Sequence, residues 1–390
     1  MGEVVAIISE YNPFHNGHKY QIDRIKEIYP DATIIAIMSG NIVQRGELAL
    51  IEKYNRARAA VLCGVDCVFE LPYPFCASCA EIFARAGVYL AMQLGATHLC
   101  FGVEQGNVEN LTHFADALDK ADKEDSVNIV KQDRSISYPK LLEKLCNVDG
   151  NKIPNMSNMI LGIEYIRSIR RYGNKLIPYT VERKGFGYND LSVGNNMSAT
   201  AIRAYFTNNN TLISVPENTE KLYEQIIENK EFTVIDEIKD YLFKSVIMMD
   251  PKSIDKCYDT PSGVGFFIYD LARNSRDADE FFENLTTKTY TYARLRRIIL
   301  YALLGVERID KEPAYTSLLA SSGKGREHLK SLKKKSKFPI LTKLADYKKM
   351  DDKAVSQFEA SARADMLFTS FLKNRTAPLD FIKKMPFISE

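Results

Sequence analysis

The chain has 390 residues, with 52 Lys and Arg, 50 Asp and Glu, 5 His, 7 Cys and no Trp. That length is ample for two domains and a sizeable core. An apolar content of 45% and a charged content of 26% exclude a disordered or collagen-like chain, and no apolar run reaches the roughly 18 residues of a membrane span. The opening MGEVVAIISEYNPFHNGH lacks a basic start and a small-residue cleavage site, so it reads as a first β-strand and not as a signal peptide. The expectation is a cytoplasmic protein with reduced cysteines.

VVAIIS (4–9) is a short apolar run, and a helical pattern follows from Gly17 to Ile28. TIIAIM (33–38), CVFELP (67–72) and THLCFG (97–102) are further buried-strand candidates. Helices are expected over Leu48 to Cys63 and Ala80 to Leu94. Short β-branched runs separated by helix-length segments predict an α/β fold, a parallel sheet with crossover helices. Residues 155–172 read as another helix and KLIPYTVER (175–183) as a fifth strand; GYNDLSVGNNMS (187–198) is the most linker-like stretch. SATAIRAYF opens a helix with Ser198 as its N-cap. From there the pattern is helical and no strand–helix alternation is expected to return. This places a domain boundary near residue 210, between an N-terminal α/β domain (1–210) and a mostly α-helical C-terminal domain (211–390). In the latter, TYTYARLRRIILYALLG (289–305) sets an apolar stripe of Leu295, Ile298, Ile299, Ala302 and Leu303 against Arg294, Arg296 and Arg297, expected on the other side.

The net charge of +2 hides an asymmetry. Ser321 to Glu390 holds 16 basic and 8 acidic residues, whereas residues 1–320 hold 36 and 42. The densest run is Lys330, Lys333, Lys334, Lys335 and Lys337. A basic block on a near-neutral protein suits a polyanion, because each neutralised phosphate releases counterions; a solvated helix face is the plain alternative. Lys288, Lys324 and Arg326 extend the candidate surface, and Tyr290, Tyr292 and Tyr315 interleave with it as stacking candidates.

The strongest local signal is EYNPFHNGHKY (10–20), which follows the first strand and opens the first helix. In open parallel sheets ligands bind at the carboxyl ends of strands. Pro13 stiffens the turn, Gly17 lets backbone approach a ligand, and the helix presents free N–H groups. His15 and His18 beside that helix start suit the charge that develops on a phosphoryl group. Metal binding would need ligands that the motif lacks, and ordinary structural histidines are the remaining reading. Cys76 and Cys79 have zinc-like spacing, but Cys63 and Cys67 lie in apolar surroundings and Cys146 and Cys257 stand alone, so buried thiols are expected. Glu10, Asp23 and Glu104 are the acids nearest the expected pocket.

HNGH (15–18) resembles the HIGH motif of the nucleotidylyltransferase superfamily. The longer VVAIISEYNPFHNGH, together with ILGIEYI (160–166), SATAIR (198–203), YTYARLRRIIL (290–300) and GKGREHL (323–329), resembles the bacterial tRNA(Met) cytidine acetate ligase family across nearly the whole chain. The resemblance implies a Rossmann-like nucleotidylyltransferase domain with a helical, basic tRNA-binding domain behind it. It implies an enzyme that activates acetate with ATP, accompanied by Mg2+, to give acetyl-adenylate and pyrophosphate. The acetyl group would then pass to N4 of the wobble cytidine of elongator tRNA(Met). It implies no membrane and no protein partner. Carried over by position, ATP would be bound by Ile7, Ile8, Ser9, Glu10, Tyr11, Asn12, Pro13, Phe14, His15, Asn16, Gly17, His18, Lys19 and Tyr20, and by Gly102, Asn158, Arg183, Ser198, Thr200 and Arg203. His15 and His18 would be catalytic. Lys288, Arg294, Arg296, Arg297, Lys324, Arg326, Lys330, Lys333, Lys334, Lys335 and Lys337 would meet the tRNA. The chain departs from the family pattern at Asn155-Met156-Ser157, at Ala199, where a hydroxyl is missing, and after Tyr315, where an Arg is missing. A small-molecule adenylyltransferase shares the sheet and motifs but leaves a basic half of about 180 residues idle; a non-catalytic RNA-binding protein would not need the His pair.

Overall fold

The computed structural model describes residues 2–104, 106–123, 157–182 and 197–389. In chain order its helices are α1 (Asn16–Ile28), α2 (Lys53–Leu62), α3 (Ala80–Gln93), α4 (Val108–Lys123), α5 (Ser157–Arg171), α6 (Ala199–Asn209), α7 (Glu217–Glu228), α8 (Ile235–Met248), α9 (Pro251–Asp255), α10 (Val264–Asn274), α11 (Ala278–Asn284), α12 (Tyr292–Leu304), α13 (Gly323–Lys335) and α14 (Asp352–Ser370). The strands are β1 (Val4–Ser9), β2 (Thr33–Ser39), β3 (Ile42–Val43), β4 (Glu47–Leu48), β5 (Cys67–Leu71), β6 (His98–Val103), β7 (Ile177–Glu182), β8 (Thr316–Ser321), β9 (Ile340–Leu341) and β10 (Phe387–Ile388).

The apolar runs of β1, β2 and β5 are buried almost throughout, as strands covered by helices on both faces must be. They form one sheet in the order β10-β8-β5-β2-β1-β6-β7. The five strands from β5 to β7 run parallel. Strand order reverses at β1, so the crevice outside the carboxyl ends of β1 and β6 is where such a sheet takes a ligand. Close packing there depends on small residues: a Cβ on Gly87 of α3 would lie 2.6 Å from Ile8 Cδ1.

Two expectations are corrected. The helix expected from Leu48 begins only at Lys53, because Glu47 and Leu48 pair with Ile42 and Val43 in a short hairpin. Leu50 then donates its N–H to Asn12 Oδ1 (2.9 Å), and its carbonyl accepts from Thr233 (3.0 Å), which keeps residues 49–51 extended. Strand structure also returns after residue 210. TSLLAS forms β8, buried along its whole length and antiparallel to β5, and β9 and β10 pair with it. The C-terminal part, otherwise helical, thus completes the N-terminal sheet.

Helix α13 crosses the amino ends of the strands. Ser322 donates its N–H to Asp66 O, Lys324 Nζ donates to Asp31 O and Ala32 O, and His328 Nε2 lies 3.0 Å from Leu94 O. No described helix is long and apolar enough to cross a membrane.

Candidate active site

At the end of β1 the chain turns sharply. Tyr11 holds a left-handed φ of 47°, the Asn12–Pro13 bond is cis, and Tyr11 and Phe14 are buried. His15 is the N-cap of α1 and only 2% exposed. Its Nδ1 accepts the Gly17 N–H (3.1 Å), and its own N–H donates to His18 Nδ1 (3.2 Å). A ring nitrogen that accepts from an N–H carries no proton, so each neutral imidazole holds its proton on Nε2. Each ring is thereby set as an Nε2 donor. The rings lie 3.8 Å apart between centroids, with Tyr11 edge-on to His18 at 4.8 Å. Gly17 is required here because a Cβ would lie 2.9 Å from His15 Cε1.

The histidines line a cleft of about 850 Å³ at the carboxyl ends of β1 and β6, large enough for a nucleotide. Of the stretch expected to meet ATP, Ile8 to Asn12, His15, Gly17, His18 and Tyr20 line it. Ile7 and Phe14 are core residues instead, and Lys19 pairs with Asp23 along the helix. Gly102 and Asn158 line it too; Asn158 donates to Glu104 Oε1 at 2.6 Å. Ser198 caps α6, its Oγ accepting the Ala201 N–H, so a second helix start faces the cleft. Ser214 ties the two starts together: its carbonyl accepts from Asn16 N and its Oγ from Met197 N. Thr200 and Arg203 stand behind this wall. Arg203 donates to Asn12 O (2.8 Å) and pairs with Glu47 (3.4 Å), so it braces the loop that carries the histidines. Arg183 lies outside the described residues.

The opposite wall comes from residues that local pattern did not reveal. Gln44, in the hairpin, donates its N–H to Glu10 Oε1 (2.9 Å) and accepts from Arg297 (3.3 Å). Burial pushes the Glu10 carboxyl up, against the Gln44 hydrogen bond. Burial opposes charge on Glu47 as well, but Arg296 and Arg203 outweigh it and hold that carboxyl below its usual range. Arg56, fully buried, donates to the carbonyls of Glu10, Ser39 and Gly40, binding the tips of β1 and β2. Beneath them Lys53 bridges Glu70 (2.7 Å) and Asp365 (2.6 Å), joining α2, β5 and α14. Burial alone would lower the Lys53 pKa, but Asp365 and Glu70 raise it well above the ordinary value.

The residues expected at an RNA surface divide. Lys288, Lys324, Arg326, Lys330, Lys333, Lys334, Lys335 and Lys337 are exposed. The run from Lys330 onward belongs to α13 and the residues after it, at the amino ends of the strands, about 20 Å of strand away from the cleft. Arg294 and Arg296 of α12 are half-buried, paired with Asp259 and Glu47 and packed on Tyr290 and Tyr292. Two expectations fail here. Arg297 does not project outward; it is 7% exposed and lines the cleft, because α12 is buried on nearly all sides from Arg297 to Tyr301. Tyr315 is 1% exposed and packs on Phe358, so it is a core residue. Cys63, Cys67, Cys76 and Cys257 are buried. Burial pushes the thiols of Cys63 and Cys67 up to about 12, which makes them unreactive. Cys146 lies outside the described residues. Among those described, no group of three or more His, Cys, Asp or Glu could hold a metal.

Comparison with known proteins agrees with this geometry. A family model described as HIGH Nucleotidyl Transferase matches residues 2–380. The tRNA(Met) cytidine acetate ligase of Clostridium tetani is 33% identical, with 99% of each chain covered. The chain belongs to the tRNA(Met) cytidine acetate ligase family. Its counterpart of that name from Thermoanaerobacter sp. is likewise 33% identical over 97% of this chain and 98% of the other. Among solved structures of the family, apo Thermotoga maritima TmcAL superposes with a TM-score of 0.90 at 27% identity, covering 99% of both chains. The same protein bound with alpha-thio ATP gives 0.88.

Proposed function

We propose that this chain is an ATP-dependent acetate ligase. It forms acetyl-adenylate and transfers the acetyl group to N4 of the wobble cytidine of elongator tRNA(Met), giving N4-acetylcytidine. The observation that carries the reading is the His15–His18 pair at the start of α1. Both imidazoles have Nδ1 engaged as an acceptor and so turn an Nε2 donor to a phosphate in the crevice.

Acetate attacks the α-phosphorus in line, and charge grows on the non-bridging oxygens and on departing pyrophosphate. His15 and His18 stabilise that charge, with the positive ends of the α1 and α6 helix dipoles behind them. Arg203 acts by holding the Asn12 carbonyl, and with it the loop, in place. Mg2+ would be held chiefly by the ATP phosphates, where it would offset their charge, since no cluster of three or more His, Cys, Asp or Glu that could hold it occurs among the described residues. Gly102 and Asn158 border the nucleotide from β6 and α5. Lys288 and the exposed lysines of α13 serve the tRNA, so residues 211–390 carry the RNA surface while also completing the sheet and part of the cleft wall. Such a substrate places the protein in the cytoplasm.

The test incubates the protein with ATP, Mg2+, labelled acetate and total bacterial tRNA, then digests the RNA. Label is expected in N4-acetylcytidine and only when ATP is present. Acetate-dependent AMP formation without labelled RNA would mean that the acceptor is wrong, and neither product would defeat the reading.

A further inference from the structure

The lining of the cleft also includes the start of α3, through Cys79 and Ala80, and α12, through Ala293, Arg294 and Arg297. Helix α12 carries three arginines in four positions, and two of them have a carboxylate: Arg294 has Asp259 at 2.7 Å and Arg296 has Glu47 at 2.6 Å. Arg297, the most deeply buried of the three, has none within ion-pair distance among the described residues. Its hydrogen bond there is a long one to the Gln44 carbonyl, and its buried Nε has no partner. A guanidinium presents five donors, and leaving a buried charge unmatched is strongly unfavourable. Nearby acids do not supply the match: Asp259 is engaged by Arg294, and Glu81 by Arg85 and Arg171. The position is also fixed. Gly46, at a φ of +71°, sits where a Cβ would lie 2.9 Å from the Arg297 backbone nitrogen.

The start of α3 lines the same cleft through its N-cap, Cys79, and through Ala80 and Glu81. The first turn of α3 and a guanidinium without a carboxylate partner therefore line one cleft, and both favour an anion. Depth decides its size. A phosphodiester on a folded RNA does not reach a side chain so nearly covered, whereas a small carboxylate does. Ile82 and Phe83, buried and lining the same wall, give a methyl group an apolar contact.

We propose that Arg297 and the first turn of α3 form the acetate subsite: the carboxylate that Arg297 lacks is the substrate's. This rests on the acetate-activating reading above and removes Arg297 from the tRNA surface. One acetate oxygen stays against the guanidinium while the other attacks the α-phosphorus. The new O–P bond forms as the bond to pyrophosphate breaks, pyrophosphate leaves with the electron pair, and no proton moves.

The test is acetate-dependent ATP–pyrophosphate exchange by the full chain without RNA, for wild type, Arg297→Gln and Arg297→Lys. Arg297→Gln is expected to raise the acetate KM about 30-fold, equivalent to about 2 kcal/mol, and the ATP KM by less than about threefold. Arg297→Lys keeps the charge without the fork and should fall between. An acetate KM within about threefold of wild type for both variants overturns the proposal. So does a tRNA KM, measured in the complete acetylation reaction, that rises in its place, which assigns Arg297 to the RNA, or an ATP KM that rises in step, which assigns it to the triphosphate. If thermal unfolding shows that Arg297→Gln does not fold, Arg297→Lys alone decides. Wild-type protein without acetate-dependent exchange defeats the functional reading itself, an outcome distinct from exchange that is indifferent to residue 297.

Discussion

At the carboxyl ends of the central strands, Lys53, Arg56, Glu47, Arg203 and Arg296 are wholly or largely withdrawn from water and matched to partners 2.5–3.4 Å away. At the amino ends, Lys330, Lys333 and Lys334 of α13 stand in solvent. The two regions carry similar charge in opposite states. Buried, paired charge fixes geometry, since each group holds a loop or strand tip at a set distance and loses much if its partner goes. Exposed charge fixes little, but it acts at a distance on a polyanion and is screened by salt. Chemistry belongs at the first end and capture of a large substrate at the second.

Four variants would break or sharpen that contrast. Lys53→Met leaves Glu70 and Asp365 facing each other in the core, and is expected to destabilise the fold by about 3–5 kcal/mol in urea unfolding. A loss below about 1 kcal/mol would mean that the network does not brace the site. His18→Ala removes a donor to the reacting phosphate and should lower acetate-dependent AMP formation by about 100-fold or more; near-normal turnover would take His18 out of the mechanism. Exchanging Lys330, Lys333 and Lys334 for Glu should weaken tRNA binding and reduce the log–log salt slope by about 1 for each phosphate that is no longer neutralised. Binding and slope that stay as in wild type would make this end a plain solvated face. The smallest effect is expected from Glu10→Gln. Because burial raises the Glu10 pKa, the folded state holds more protons than the unfolded one at pH values above the ordinary carboxylate pKa, so the ionised group lowers stability as pH rises. Glu10→Gln should therefore raise Tm by about 1–2 °C at pH 7–8, with the gain vanishing below pH 4.5. A gain that is independent of pH would point to packing and not to charge.

The sheet was legible where its strands are unbroken apolar runs. β1 begins and ends where the sequence puts it, and β2, β5, β6 and β7 agree to within two residues. The His pair and the Ser198 cap were legible too, as local patterns beside a helix start, while the cleft position of Gly102 and Asn158 came from the family resemblance. β8 was not: TSLLAS has three apolar residues against five in β1, follows a long helical stretch and finds its partner, β5, about 250 residues away. The same holds for Gln44 and Glu47, which lie in a hairpin with two-residue strands, too short for any periodicity. Arg297 was misplaced because the helix that carries it is buried on more than one side, and a single apolar stripe does not reveal that.

The most direct test of the central claim, that the cleft at the carboxyl ends activates acetate by itself, is pyrophosphate exchange without RNA. Wild-type protein with ATP, Mg2+ and labelled pyrophosphate should form labelled ATP only when acetate is added. Exchange that ignores acetate, or that requires tRNA, would contradict it.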